Sequence, residues 1–249
     1  MLVTGGASGL GRDIAVSAAA EGYRVGVVDI DGPAAANGAS GIAHFVASVA
    51  DEPAIEAVLD EFGVPDVVVN NAGIVRFGPL VDLDVADFSA VLDVNLVGTY
   101  VVARAAARRW IDTSTAGNVI NITSMNGVAA GPNAGSYGAS KAAIAMLTAQ
   151  MAIEWGPSGI RVNAVAPGLI DAGMSEPIYA DPATRRARES KVPIGRLGTA
   201  TDVSDVVLFL ASERSAYIHG QNIVVDGGVT GSVIAHLPRP SSVDSVGHT

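Results

Sequence analysis

Tyr137 and Lys141 stand four residues apart in Tyr137-Gly138-Ala139-Ser140-Lys141, a spacing that puts a phenol and an ammonium on one face of a helix. A free tyrosine titrates near ~10 and is a poor base at neutral pH. A cation beside it stabilises the phenolate and makes proton exchange with a ligand hydroxyl or carbonyl feasible. The same pair also fits a solvent-facing contact between two long side chains. Ser124 lies thirteen residues earlier, just after the β-branched run 118–123. Its hydroxyl can hydrogen-bond a substrate oxygen, or can close a turn with Thr123.

Near the amino end, Thr4-Gly5-Gly6-Ala7-Ser8-Gly9-Leu10-Gly11 separates an apolar run from a helical pattern. Glycine there permits a tight turn and lets backbone amides approach a pyrophosphate, which the following helix N-terminus attracts. A glycine-rich turn without a ligand is the other reading. Asp29 follows 24 residues after Gly5 at the end of the second β-branched run. A carboxylate there accepts hydrogen bonds from adenosine ribose hydroxyls and repels a 2′-phosphate, which favours NAD over NADP; a polar strand end reads the same way. No Lys or Arg lies within the glycine loop, where Ser8 precedes Gly9, so the usual phosphate counter-charge is missing; Arg12, just after the loop, dissents.

These residues need a scaffold that brings distant segments to one edge. Short β-branched runs at 1–5, 24–29, 42–47, 66–71, 118–123, 160–166 and 222–225 alternate with helical patterns at 9–21, 53–62, 85–109, 135–155 and 201–212. That rhythm predicts an α/β fold: one doubly wound Rossmann-type domain with a seven-stranded parallel sheet and helices on both faces. Continuously apolar runs such as Val67-Val68-Val69 and Val25-Gly26-Val27-Val28 fit central strands covered on both sides. Ligands of such sheets bind at the carboxyl edge, where Ser124 and Asp29 fall. The segment 168–198, with Pro177, Pro182, Pro193 and the cluster Arg185-Arg186-Ala187-Arg188-Glu189, breaks the rhythm and predicts a mobile lid. Residues 1–228 thus form the expected catalytic domain and 229–249 a tail, with an apolar patch at 233–237 and a disordered end.

Composition narrows the chemistry. The 249 residues are 49% hydrophobic and include no cysteine, which excludes disulfides, thiolate metal sites and thiol nucleophiles. His44, His219, His236 and His248 lack metal-ligand spacing, so no metal is expected. Fifteen Lys and Arg against 25 Asp and Glu leave a net charge of −10, with a pI near 4.7, which argues against a nucleic-acid partner. Mean hydropathy is +0.38, yet no uninterrupted apolar run approaches the ~20 residues of a membrane span, so no membrane partner is expected. The amino end carries no signal-peptide pattern, and a cytoplasmic location is expected.

Taken together, the motifs resemble those of the short-chain dehydrogenase/reductase family from Val3 to Gly228. They are Thr4-Gly-x-x-x-Gly-x-Gly11, Asn70-Asn71-Ala72-Gly73, Asp93-Val-Asn95-Leu-Val-Gly98, Ser124, Tyr137-x-x-x-Lys141, Pro167-Gly168 and Val225-Asp226-Gly227-Gly228. The resemblance implies an NAD-dependent oxidoreductase acting on a secondary alcohol or ketone, with Asn95, Ser124, Tyr137 and Lys141 as the catalytic set. Tyr137 would be the acid/base, and Lys141 would bind the nicotinamide ribose and lower the tyrosine pKa. Ser124 would polarise the substrate oxygen, and Asn95 would kink its helix around a water feeding a proton relay. Cofactor contacts would come from Gly5, Ser8, Gly9, Leu10, Asp29, Ser48, Val49, Asn71, Ala72, Gly73, Tyr137, Lys141, Pro167, Gly168 and Ile170.

Two positions depart from the family. Ser48-Val49 stands where relatives commonly carry Asp-Val against adenine, so a neutral hydroxyl must take that role. Ala172 stands where relatives often carry a nicotinamide-contacting Thr, which Ile170 backbone contacts would have to replace. The resemblance also implies a homotetramer built through the helices around 103–107 and 142–155, and the 233–237 patch would pack on a neighbouring subunit.

The substrate pocket is expected from Ser124, Met125, Asn126 and Val128, with Met174, Pro177, Ile178 and Tyr179 opposite. Mostly apolar walls point to a small-molecule alcohol or ketone that is neutral, with an apolar body; Met125 and Met174 equally fit ordinary packing. The lid arginines are expected on a solvated face rather than on a bound anion. Two other functions compete: a non-catalytic nucleotide-binding or sensory protein on the same fold, and a carbon–carbon double-bond reductase, whose Tyr-to-Lys spacing is usually wider.

Overall fold

The computed structural model describes residues 1–32 and 41–232. Strands β1 (Leu2–Thr4), β2 (Val25–Asp29), β3 (Ile42–Val46), β4 (Val67–Asn70), β5 (Gly117–Ile122), β6 (Ile160–Pro167) and β7 (Asn222–Val225) form a single all-parallel sheet in the order β3-β2-β1-β4-β5-β6-β7. Each expected strand is present. Because successive strand residues face opposite sides, Leu2, Val68 and Val119 enter one apolar cluster while Val3, Val69 and Ile120 enter the other. The first cluster is closed by α2 (Glu52–Phe62), α4 (Gly98–Thr113) and α5 (Tyr137–Trp155). The second is closed by α1 (Gly9–Ala20) and α8 (Ala200–Ala211). Burial on both faces is why the central strands read as unbroken apolar runs.

Local signals set the helix ends. Asp51 accepts from Ala54 N at 3.1 Å at the start of α2, whose Ile55, Val58, Leu59 and Phe62 recur at helical spacing and are buried. Thr199 and Asp202 exchange hydrogen bonds as a capping box at the start of α8. The pattern 85–109, expected as one helix, is α3 (Val85–Leu92), a π turn over Asp93–Val97, and α4 reaching Thr113. This continuous stretch, Val85–Thr113, is long and apolar enough by length and composition to cross a membrane. Counting only uninterrupted apolar residues missed it. Within this fold one side of it is buried, with Val102, Ala103, Ala106 and Trp110 packed in the first apolar cluster.

The segment after β6 is not structureless. It carries a 3-10 turn at Gly173–Ser175, then α6 (Glu176–Tyr179) and α7 (Pro182–Glu189). Its two ends are clamped together, with Gly198 N donating to Leu169 O at 2.9 Å and Asp171 N to Gly198 O at 2.8 Å. The apolar patch 233–237 and the chain end lie outside the described residues.

Candidate active site

Between β1 and β4 the strand order reverses, and a cleft of about 780 Å³ opens at the carboxyl edge of the sheet. It is lined by Gly5, Ser8, Gly9, Leu10, Asp29, Ser48, Val49, Asn71, Ala72 and Gly73, and by Ser124, Met125, Asn126, Tyr137, Lys141, Pro167, Gly168, Ile170 and Met174. Residues from seven separate segments thus meet in one place. Of the expected catalytic and cofactor-binding residues, Asn95 alone is not on the wall: it is fully buried one layer behind.

Tyr137 and Lys141 lie in the first turns of α5, and Lys141 Nζ sits 5.6 Å from the centroid of the Tyr137 ring. The ammonium is 3% exposed and donates to Ile122 O at 2.7 Å at the end of β5. Burial lowers the Lys141 pKa from 10.5 to about 8. Burial pushes the Tyr137 phenol above its usual value, and hydrogen bonding with Ser124 pulls the other way. The chain by itself therefore does not acidify the phenol as the motif suggested, because desolvation disfavours the phenolate. Ser124 caps the 3-10 turn Met125–Gly127, its Oγ accepting from Asn126 N at 3.2 Å.

The lysine shift carries a stability consequence. Below about pH 8 the amine is charged in both native and unfolded chains, and folding bears the whole cost of burying it. From about 8 to the ordinary 10.5 the unfolded chain binds more protons than the native one, so stability rises with pH. Urea unfolding of wild type and Lys141→Met at pH 7.5, 9 and 10 should show the wild type gaining on the variant across that window. A constant difference would show that the amine titrates alike in both states.

Asn95 lies in the π turn, an extra-residue loop of helix that is common at functional sites. Its Oδ1 accepts from Ile74 N at 2.8 Å, while its Nδ2 donates to Ile74 O and to Ser140 Oγ, each at 3.0 Å. Ser140 in turn donates to Tyr137 O at 2.7 Å. Asn95 thus ties the Gly73-Ile74 loop to the first turn of the helix bearing Tyr137. A Cβ on Gly73 would lie 3.2 Å from Asn95 Oδ1 and 3.5 Å from Lys141 Nζ, so a side chain there would have to shift the Asn95 amide by a few tenths of an ångström.

At the other end, the glycine loop is shaped to receive an anionic ligand. The N-terminus of α1 has Ser8 at its cap with no side-chain hydrogen bond and no acidic residue in its first turn. Its amides are therefore left to a ligand or water. A Cβ on Gly11 would lie 2.2 Å from Gly5 O, which makes glycine obligatory there. Asp29 Oδ2 accepts from Ala7 N at 2.9 Å and Oδ1 from Asp31 N at 3.2 Å, so the carboxylate braces the loop. A carboxylate has about four acceptor sites, so capacity remains for ribose hydroxyls. Asn71 Nδ2 is committed to Thr4 O and Gly5 O, each at 3.0 Å, and holds the loop with its side chain. Ala172 lies on the cleft wall with Ile170, beside Gly173, which packs on Gly9.

Several residues differ from expectation. Val128 is half exposed and off the wall, because the 3-10 turn at Met125–Gly127 carries the chain away. Pro177 is also off it, while its neighbours Ile178 and Tyr179 line the cleft. Arg12 does not line the cleft, whereas Asp31 does. Sequence reasoning missed Ile30, Ile74, Val75, Phe77 and Ala134, which carry no polar signal, and it missed Thr4, whose Oγ1 accepts from Asn71 N and Ala72 N at 3.0 Å. Of the lid arginines, Arg188 reaches the cleft, against the expectation of a solvated face; Arg185 pairs with Asp171, and Arg186 is exposed.

A sheet of this order, with a glycine-loop crevice and a Tyr-Lys-Ser cluster at its carboxyl edge, defines a class, and comparison with known proteins agrees. A family model described as Enoyl-(Acyl carrier protein) reductase matches residues 5–230. The chain is 35% identical over 243 residues to 2-(S)-hydroxypropyl-CoM dehydrogenase 3 of Xanthobacter autotrophicus, covering 92% of this chain and 95% of that protein. Among solved structures, it is similar to a gluconate 5-dehydrogenase from Burkholderia cenocepacia in complex with NADP and tartrate. That match has a TM-score of 0.85 and 33% identity over 93% of this chain and 95% of the other. A short chain dehydrogenase from Leptospira borgpetersenii with bound NAD+ matches with a TM-score of 0.85 and 30% identity, over 92% of this chain and 91% of the other. The chain belongs to the short-chain dehydrogenase/reductase family. It is an oxidoreductase acting on hydroxyl- or keto-bearing substrates.

Proposed function

We propose that this chain moves a hydride between a secondary alcohol or ketone and NAD(H), with Tyr137 as the acid/base. The observation that carries this reading is the convergence of Tyr137, Ser124 and Lys141 on the same cleft as the glycine loop and Asp29. When bound, the nicotinamide supplies the carbon that takes or gives the hydride. Ser124 and Tyr137 hold the substrate oxygen between two hydroxyls. Tyr137 then takes the alcohol proton in oxidation and returns it in reduction. Its phenol, raised by burial, needs positive charge nearby to ionise, and Lys141 supplies one at 5.6 Å from the ring. Asn95 acts as a positioning residue, through Ser140 and Ile74.

The same cleft supports NAD over NADP. Its adenosine end presents Asp29 and Asp31 and lacks Arg12, so a 2′-phosphate would meet two carboxylates and no cation. The solved relatives include both an NADP and an NAD+ complex, so the preference rests on this chain's own residues. A pure nucleotide binder has no need of the combined Asn95, Ser124, Tyr137 and Lys141 arrangement. Double-bond reduction is disfavoured by the four-residue Tyr137–Lys141 spacing. The reading extends to a cytoplasmic homotetramer. Tyr100 and Ile111 on α4 and Met146 and Ile153 on α5 are exposed apolar side chains that a neighbouring subunit would cover.

The test is a panel of secondary alcohols and ketones followed by NADH absorbance, with NADP in parallel. Turnover with NAD, at a kcat/KM about 100-fold above that with NADP, is expected. No turnover of any panel member by a sample that binds NADH would remove the enzymatic reading.

A further inference from the structure

The lid holds five cations, and four of them are accounted for. Arg185 pairs with Asp171 and Glu189, Arg196 pairs with Asp202, and Arg186 and Lys191 are exposed. Arg188 is half-buried on the cleft wall, and Lys141 is the other cation there. The Arg188 guanidinium lies 5.7 Å from the ring centroid of the buried Tyr179, which Arg185 also approaches, at 5.9 Å. No hydrogen bond or ion pair involves the Arg188 side chain among the described residues. The lid carboxylates are committed elsewhere: Asp171 and Glu189 to Arg185, Glu176 to Gly173 N at 2.7 Å, and Asp181 to Thr184 at the start of α7. An arginine has five N–H donors in a planar fork suited to carboxylate-like oxygens, and those of Arg188 remain open to a ligand or to water in the cleft.

We propose that Arg188 is a specificity-determining residue that binds an anionic group, a carboxylate or sulfonate, carried by the substrate away from its reacting carbon. The inference rests on the dehydrogenase reading and replaces the neutral substrate expected from the apolar walls. Tyr179 lies within cation–π range of the guanidinium. Met174, Ile178 and Tyr179 give the connecting carbon chain an apolar bed, and the fork closes on the anion at its end. The net charge of −10 gives the protein no general attraction for anions, so selectivity falls to this one group.

A binding measurement independent of turnover tests this. The enzyme–NADH complex is titrated with hexanoate and with hexanamide, following NADH fluorescence, in wild type, Arg188→Met and Arg188→Lys. Hexanoate should bind the wild type at least about tenfold more tightly than hexanamide, and Arg188→Met should erase the difference while Arg188→Lys keeps part of it. Equal binding of the two probes to wild type, or a preference that survives in Arg188→Met, overturns the proposal. The diphosphate of the cofactor offers the same anionic chemistry. An NADH Kd that rises tenfold in Arg188→Met would give the guanidinium to that group and overturn the substrate assignment. A hexanoate preference that depends on Arg188, in a protein that turns over no alcohol, would uphold the anion site while removing the dehydrogenase reading.

Discussion

Tyr137→Phe is expected to lower kcat for a secondary alcohol by about a thousandfold while leaving the Kd for NADH within about twofold. The substitution removes one oxygen and keeps the ring that packs beside Lys141. The nearest groups do not replace it: Ser124, its hydrogen-bond partner, is a poor base, and Lys141 donates to Ile122 O. Losing a positioned acid/base costs roughly 10²–10⁴ in rate, and about a thousandfold is the middle of that range. Single-turnover kinetics beside an NADH fluorescence titration separate the two quantities. A variant that retains more than about a tenth of wild-type kcat takes Tyr137 out of proton transfer. Loss of NADH binding together with kcat would instead mean that the ring is structural.

Asp29→Asn should lower the ratio of kcat/KM with NAD to that with NADP by about 100-fold. Asparagine keeps an amide oxygen that can accept from Ala7 N, so the bracing of the glycine loop survives. What disappears is the negative charge facing the ribose, along with one strong acceptor for its hydroxyls. Most of the change should therefore come from improved use of NADP, with a smaller loss for NAD. Asp31 remains nearby and limits the gain, so a full reversal of preference is not expected from the single substitution. Initial rates with both cofactors at fixed substrate measure the ratio. An unchanged ratio, or a wild type that already prefers NADP, would move cofactor selection away from Asp29.

Much of this is legible in the sequence. The seven β-branched runs appear as the seven strands; in the central ones continuous burial on both faces demands apolar residues at every position, while the edge strands β3 and β7 are only partly buried. The spacing of Tyr137 and Lys141 placed both on one helix face, and the glycine spacing of the first loop located the crevice. Asn71 was legible as a cleft residue, but its commitment to Thr4 and Gly5 carbonyls was not, because the partner lies 67 residues away in the chain. The break in the helix at Asp93–Val97 was foreshadowed only by the resemblance, since no proline or glycine pair marks it. Val128 and Pro177 were misplaced for a common reason: adjacency in sequence to wall residues does not decide which side of a turn faces the cavity.

By itself the sequence determined the fold class, the order of its elements and the chemistry available, since hydrophobic period, glycine positions and residue types are local properties. Tertiary structure alone decided which charges meet and which stay unpaired. Arg185 and Arg188 are equivalent letters in one short run, yet docking of α7 gives the first a carboxylate and turns the second into the cleft. The same holds for the phenol: its neighbour is written in the motif, but burial, a property of the whole packed chain, sets the direction of its pKa.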